Sequence, residues 1–227
     1  LGKVLYTAAP LLMTGLAVGF AFKTGLFNIG ATGQFTMGAF LALTGAIAWQ
    51  LPWYLCLPLA IIAGAVWGAI PGLCKALFNV NEVITSIMFN WLGLFLVNLL
   101  LNNMPVMLAN HWGDVTRERT AALARANVAA ILPKLGMDVA LKYPSMNIGI
   151  FIAVLAAIVM WFILQKTTFG YELKACGYNR SASLYAGINA KRSIILSMVI
   201  SGALAGLGGA LYYLSGTVQF TLGKELS

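Results

Sequence analysis

Three hydrogen-bonding side chains stand close together in a chain otherwise poor in them. Asn28, Thr32 and Gln34 sit among Gly25, Gly30 and Gly33 in the run TGLFNIGATGQ, residues 24–34. Amides and a hydroxyl at this spacing can bind a polar solute without carrying charge. Each glycine costs a helix about 1 kcal/mol relative to alanine, so three of them predict a broken helix here. Such a break inside apolar surroundings is tolerated where the backbone lines a cavity. The same glycines would also let neighbouring helices approach closely, and both readings are open at this point. A second polar point is Asn81-Glu82, which opens another apolar stretch. Asn81 suits a helix N-cap and Glu82 the positive end of the macrodipole. Glu82 is the one acid between Gly2 and Asp114, so it is also a candidate for gating or solute contact, with Asn90 two turns further along.

Other chemistry is excluded by what is missing. No G-x-x-x-x-G-K-[ST] loop is present, so this chain does not hydrolyse ATP by that device. His111 stands alone, and Cys56, Cys74 and Cys176 lack metal-ligand spacing, which gives no resident metal or cofactor and three unpaired thiols. No apolar run carries a charge at its middle, which argues against proton-driven pumping. The chain reads as a transport component and not as an enzyme.

The elements that must hold these residues are spelled out by charge. Only 9% of the 227 residues are charged and 60% are hydrophobic, with a mean hydropathy of +0.87. No Asp, Glu, Lys or Arg occurs in 4–22, 24–74, 83–113, 143–165 or 193–223. About 20 apolar residues cross a bilayer as a helix. The 51-residue run holds two crossings, giving about six: 4–22, 34–49, 54–73, 81–101, 147–164 and 193–214. These runs are apolar on every side, without the alternation of a barrel strand. The fold class is therefore all-α, a polytopic bundle in the lipid bilayer, with 1–227 as one transmembrane domain. The net charge of +8 is scattered over span ends, which fits interfacial cations and not a nucleic-acid partner. Small residues four apart, Gly15/Gly19, Gly64/Gly68, Gly68/Gly72 and Gly202/Gly206, predict close helix packing.

Two polar segments interrupt the spans. Residues 102–146 hold eight of the twenty charges and contain a stretch, 116–132, that reads as helical. Residues 165–192 predict two short helices, 171–177 and 181–185, with Gly177 and Gly187 as stops. Helix links usually need 2–8 residues, so 28 with helical pattern suggest a docking surface for a cytoplasmic partner. Cation counts divide seven to each side and do not fix the orientation. Neither end reads as a natural terminus, which suggests a piece of a longer chain.

Three stretches together resemble the membrane permease of bacterial ABC importers for nucleosides and simple sugars, in the branched-chain amino acid and ribose permease superfamily. Residues 22–34 (FKTGLFNIGATGQ) are similar to its FKTGLFNIGAEGQ, and Asn81-Glu82-Val83-Ile84 to its NEVI. Phe169 to Ala175, then Gly177, Asn179 and Tyr185-Ala186-Gly187-Ile188-Asn189, resemble its coupling segment, and SGALAGLGGA at 201–210 follows as in the family. The resemblance implies that 165–192 is cytoplasmic and docks into a separate ABC ATPase subunit through Tyr171, Glu172, Ala175, Gly177, Asn179, Tyr185, Gly187 and Ile188. It implies a second permease subunit, an extracytoplasmic substrate-binding protein and a bacterial inner-membrane location, with 102–146 an extracytoplasmic loop. Asn28, Thr32, Gln34, Glu82 and Asn90 would lie along the substrate pathway. Departures are Thr32 where Glu is common, and CGYNRS at 176–181 where V/A-G-x-N-P-x is usual. The other readings are a passive channel or facilitator for small polar solutes and a non-transporting scaffold subunit.

Overall fold

The computed structural model describes residues 2–140 and 143–222. Four helices come first: α1 (Gly2–Lys23), α2 (Ala31–Ile47), α3 (Trp53–Phe78) and α4 (Glu82–Asn102). Single helical turns α5 (Leu123–Ala126) and α6 (Met137–Ala140) follow in the long polar segment. Then come α7 (Gly149–Lys166), α8 (Thr168–Tyr178), α9 (Arg180–Tyr185) and α10 (Ala190–Tyr213). The polytopic helical bundle read from the sequence is the fold.

Five of these helices, α1, α3, α4, α7 and α10, are long and apolar enough to cross a membrane. The sixth expected crossing, α2, has only 17 residues, about 25 Å at 1.5 Å each, short of about 30 Å of hydrocarbon. It is nevertheless buried on nearly every side. Its entry is irregular. Gly25, at φ +74, ends α1 in the left-handed conformation, and the Leu26 N–H returns to the Ala21 carbonyl at 2.9 Å. Residues 26–30 then lead non-helically back into the bundle before α2 begins. The break expected over 24–34 is present.

α10 is the hub, packing against α3, α2 and α1, while α7 leans on α1 and α4 on α2 and α3. The α3–α10 approach depends on glycine. A methyl group at Gly68 would lie 2.6 Å from the Met198 carbonyl oxygen, and one at Gly64 would run into Gly202. The packing expectation holds for Gly64, Gly68, Gly72, Gly202 and Gly206, each of which closes on a facing helix. It fails for Gly15 and Gly19, where an added methyl group would meet nothing within 4 Å. The spacing of four puts both on one face of α1, where no described atom comes close enough to need a glycine.

The segment 102–146 also differs from expectation. Residues 116–132 hold only α5 and one 3-10 turn, not a continuous helix. Their backbone groups bond elsewhere instead. Thr120 donates to Phe220 at 2.9 Å, Leu222 to Glu118 at 2.8 Å, and Leu132 to Leu214 at 2.9 Å. Tertiary pairing with the stretch after α10 replaces local helix bonds.

Candidate functional site

Asn28 and Gln34 meet across the start of α2. Asn28 Nδ2 donates to Gln34 Oε1 at 2.8 Å, and Gln34 Nε2 donates back to Asn28 Oδ1 at 3.2 Å. Asn28 Nδ2 also donates to Ser201 Oγ at 2.7 Å, and Ser201 donates to the Ala17 carbonyl at 2.6 Å. The chain of bonds thus joins α2 to α10 and α1. Ala17 lies six residues before the end of α1, about 9 Å along the axis, so the cluster sits within the bundle. Asn28, Gln34 and Ser201 are all nearly inaccessible. Buried amides left unbonded would each cost about 1–3 kcal/mol, and reciprocal bonding removes that cost.

Asn90 reaches the same junction from α4. Its Oδ1 accepts the Gly33 N–H at 2.8 Å and its Nδ2 donates to the Ile29 carbonyl at 3.0 Å. Gly30, the residue before α2, supplies no side-chain cap, and the first N–H groups of a helix lack internal partners. Asn90 therefore caps α2 from another helix. The close approach needs Gly33, where a methyl group would lie 2.9 Å from Asn90 Cα. Thr32, by contrast, is exposed on α2. Glu82 is half-buried at the α3–α4 turn, with a carboxylate oxygen 2.9 Å from Lys75 Nζ. Asn81 caps α4 as expected, accepting the Val83 N–H at 2.9 Å. Three of the five candidate path residues, Asn28, Gln34 and Asn90, converge on the α2 entry; Thr32 and Glu82 point elsewhere.

Two participants escaped the sequence reading. Ser201 has a legible signal: Ser193, Ser197 and Ser201 recur every fourth residue, which lays a hydroxyl stripe along one face of an apolar helix, and all three are buried. Ser86 of α4 carries the one wholly buried side-chain oxygen without a partner among the described residues. A methyl group added at Gly30 would lie 3.1 Å from Asn28 Oδ1, 3.3 Å from Gln34 Nε2 and 3.3 Å from Ser86 Cβ, so the orphan hydroxyl belongs to a residue beside the amide pair.

The second region is α8–α9. Thr167 and Asn179 cap the two helices, accepting the Gly170 N–H at 3.0 Å and the Ala182 N–H at 3.0 Å. The stop at Gly187 is as expected, with φ +79. Gly177 is not a stop: α8 runs on to Tyr178, and Gly177 instead meets the end of α1. A methyl group there would lie 2.6 Å from the Thr24 carbonyl carbon, and one at Gly25 would strike Gly177. Backbone thus touches backbone between α8 and the chain leading to Asn28. A cavity of about 170 Å³ opens beside this contact, lined among others by Thr24, Lys75, Cys176, Arg180, Ser193 and Ser197. Leu173 and Cys176 anchor α8 inward. Tyr171, Tyr178 and Tyr185 face outward, Tyr185 at 95% exposure. Glu172, Asn179 and Gly187 are exposed, and Ala175 and Ile188 half-buried.

Residues 1–226 match the family model described as branched-chain amino acid transport system / permease component. The chain belongs to this permease family. The permease is 41% identical over 227 residues to the guanosine ABC transporter permease protein NupP of Bacillus subtilis, covering 98% of this chain and 62% of that protein. It is 42% identical over 217 residues to the nucleoside ABC transporter permease protein NupB of Lactococcus lactis, covering 93% of this chain and 58% of that one. The ribose import permease protein RbsC of Haemophilus influenzae is more distant, 27% identical over 201 residues, with 86% and 55% covered. The chain thus spans about three fifths of the length of the first two. No solved structure matches it. Family and helices together make this a multi-pass membrane permease component, as the three motifs implied.

Proposed function

We propose that the permease is a membrane subunit of an ABC importer that moves nucleosides or related simple sugars across the inner membrane, driven by a separate ATPase subunit. The observation that carries this reading is the backbone contact of Gly25 with Gly177. It ties a segment with exposed tyrosines to the chain that holds the buried amide pair. A partner gripping α8–α9 on the cytoplasmic side would move Gly177, and with it the α2 entry. Asn28 and Gln34 are bonded to each other, so contact with cargo requires that entry to part from Ser201 on α10. Cargo recognition by Asn28, Gln34 and Asn90, with Thr32 and Glu82 further along, follows from that opening. Tyr171, Glu172, Ala175, Gly177, Asn179, Tyr185, Gly187 and Ile188 form the proposed ATPase-facing surface. The pathway would be completed by a second permease subunit and supplied by an extracytoplasmic binding protein.

The test is a pull-down of the full-length permease with its ATPase, paired with guanosine uptake in cells. Replacing Tyr171 and Tyr185 together by serine should leave membrane insertion intact and reduce both ATPase capture and uptake at least tenfold. Unchanged capture would end the coupling assignment. Uptake that continues without any ATPase would make the protein a passive facilitator.

A further inference from the structure

The α1 face that carries Gly19 borders a groove whose lining changes character along its length. Its floor is Leu16, Gly19 and Phe20 of α1 with Ala157, Met160 and Leu164 of α7, and its far end is Lys23, Gln165 and Lys174. The groove encloses about 310 Å³. From Leu16 to Lys23 is seven residues of helix and from Ala157 to Gln165 eight, so the apolar-to-cationic change takes about 10–12 Å. Both helices end at their polar tips, Lys23 and Lys166, next to α8.

Three observations need one explanation. Gly19 weakens α1 by about 1 kcal/mol against alanine yet faces open space, so helix packing within this chain does not account for it. Lys174 lies in the middle of α8 and not at its end, so the macrodipole does not account for it either. Among the described residues the ion pairs are Lys75–Glu82 and Lys134–Asp138, and neither groove lysine takes part in one. A slot that is apolar toward the bilayer centre and doubly cationic at its edge fits an amphiphile with an anionic head. Basic pockets between membrane helices select anionic phospholipids in this way.

We propose that the groove between α1 and α7 is a binding site for an anionic phospholipid, with an acyl chain over Gly19 and the headgroup phosphate between Lys23 and Lys174. Occupancy would bridge α1, α7 and α8, and so brace the coupling segment against the bundle.

The experiment is native mass spectrometry of the full-length permease complex, delipidated in mild detergent and offered phosphatidylglycerol or phosphatidylcholine of identical acyl chains. Wild type should retain phosphatidylglycerol over phosphatidylcholine by about thirtyfold, the effect of two interfacial cations. Lys23→Gln with Lys174→Gln should bring that preference close to one, Lys23→Arg with Lys174→Arg should restore it, and Lys134→Gln, in the other polar segment, should leave it unchanged. Gly19→Leu fills open space without a clash and should lower retention of both lipids with the lysines intact. Equal retention of the two lipids by wild type, or a preference that survives the double glutamine variant, overturns the proposal. Competition by free glycerol phosphate as strong as by the lipid makes this a site for a soluble phosphate and overturns it too. Loss of subunit assembly in Gly19→Leu, with lipid retention unchanged, assigns the groove to a neighbouring helix instead.

Discussion

The two polar segments, 102–146 and 165–192, look alike in composition and do opposite things. They flank opposite ends of α7. The first folds back on the bundle: Met107, Leu123, Ala130 and Leu132 belong to the main core, and Asn127 Nδ2 donates to the Ala46 and Leu51 carbonyls at 2.9 and 3.0 Å. The second anchors itself by Leu173 and Cys176 and turns Tyr171, Tyr178, Leu184 and Tyr185 outward. A segment that buries Met107, Leu123, Ala130 and Leu132 in the main core closes the bundle, even though Val115, Leu135 and Val139 stay exposed. One that leaves large aromatics bare on a polar scaffold is open to a partner, since exposed apolar groups gathered within a polar rim mark interaction surfaces.

Four substitutions can break or sharpen this contrast. Leu132→Ala, in the closed segment, should lower stability most, by about 2–5 kcal/mol, read as a fall in the thermal midpoint of the purified protein. An unchanged midpoint would mean that 102–146 does not brace the bundle. Gly177→Val forces a side chain into the Thr24 backbone and should cost about 1–3 kcal/mol. Because it parts α8 from the end of α1, uptake should fall further than the loss of folded protein explains, and a proportional loss would argue against a mechanical link. Asn179→Ala removes the cap of α9 and should cost about 1 kcal/mol, with weaker ATPase capture as the second readout. Tyr185→Ala should change stability by less than about 0.5 kcal/mol while still reducing capture. A large drop in thermal midpoint for Tyr185→Ala would mean that this face packs against the permease itself.

What could be read early was whatever depends on residues close in the chain. Uncharged runs long enough for lipid located α1, α3, α4, α7 and α10, because a backbone inside hydrocarbon must satisfy its own hydrogen bonds. The cap at Asn81 and the stop at Gly187 act within a few residues and were equally legible, as was the break after Lys23; the cap at Asn179 came only with the structure. Residues 116–132 misled because Thr120 and Leu132 find their backbone partners at Phe220 and Leu214, far along the chain and beyond α10.

The sequence by itself determined that this is a helical membrane bundle with a polar interruption near Asn28 and a polar segment of short helices over 165–192. Only the tertiary structure decided that Asn28 and Gln34 close on Ser201, that Asn90 caps α2 from across the bundle, and that Gly177 rests on Gly25 while Gly19 rests on nothing. The physical reason is range. Hydropathy and capping are settled over one or two turns, whereas the hydrogen bond from Asn28 to Ser201 of α10 exists only once glycines have let the helices approach within reach of it.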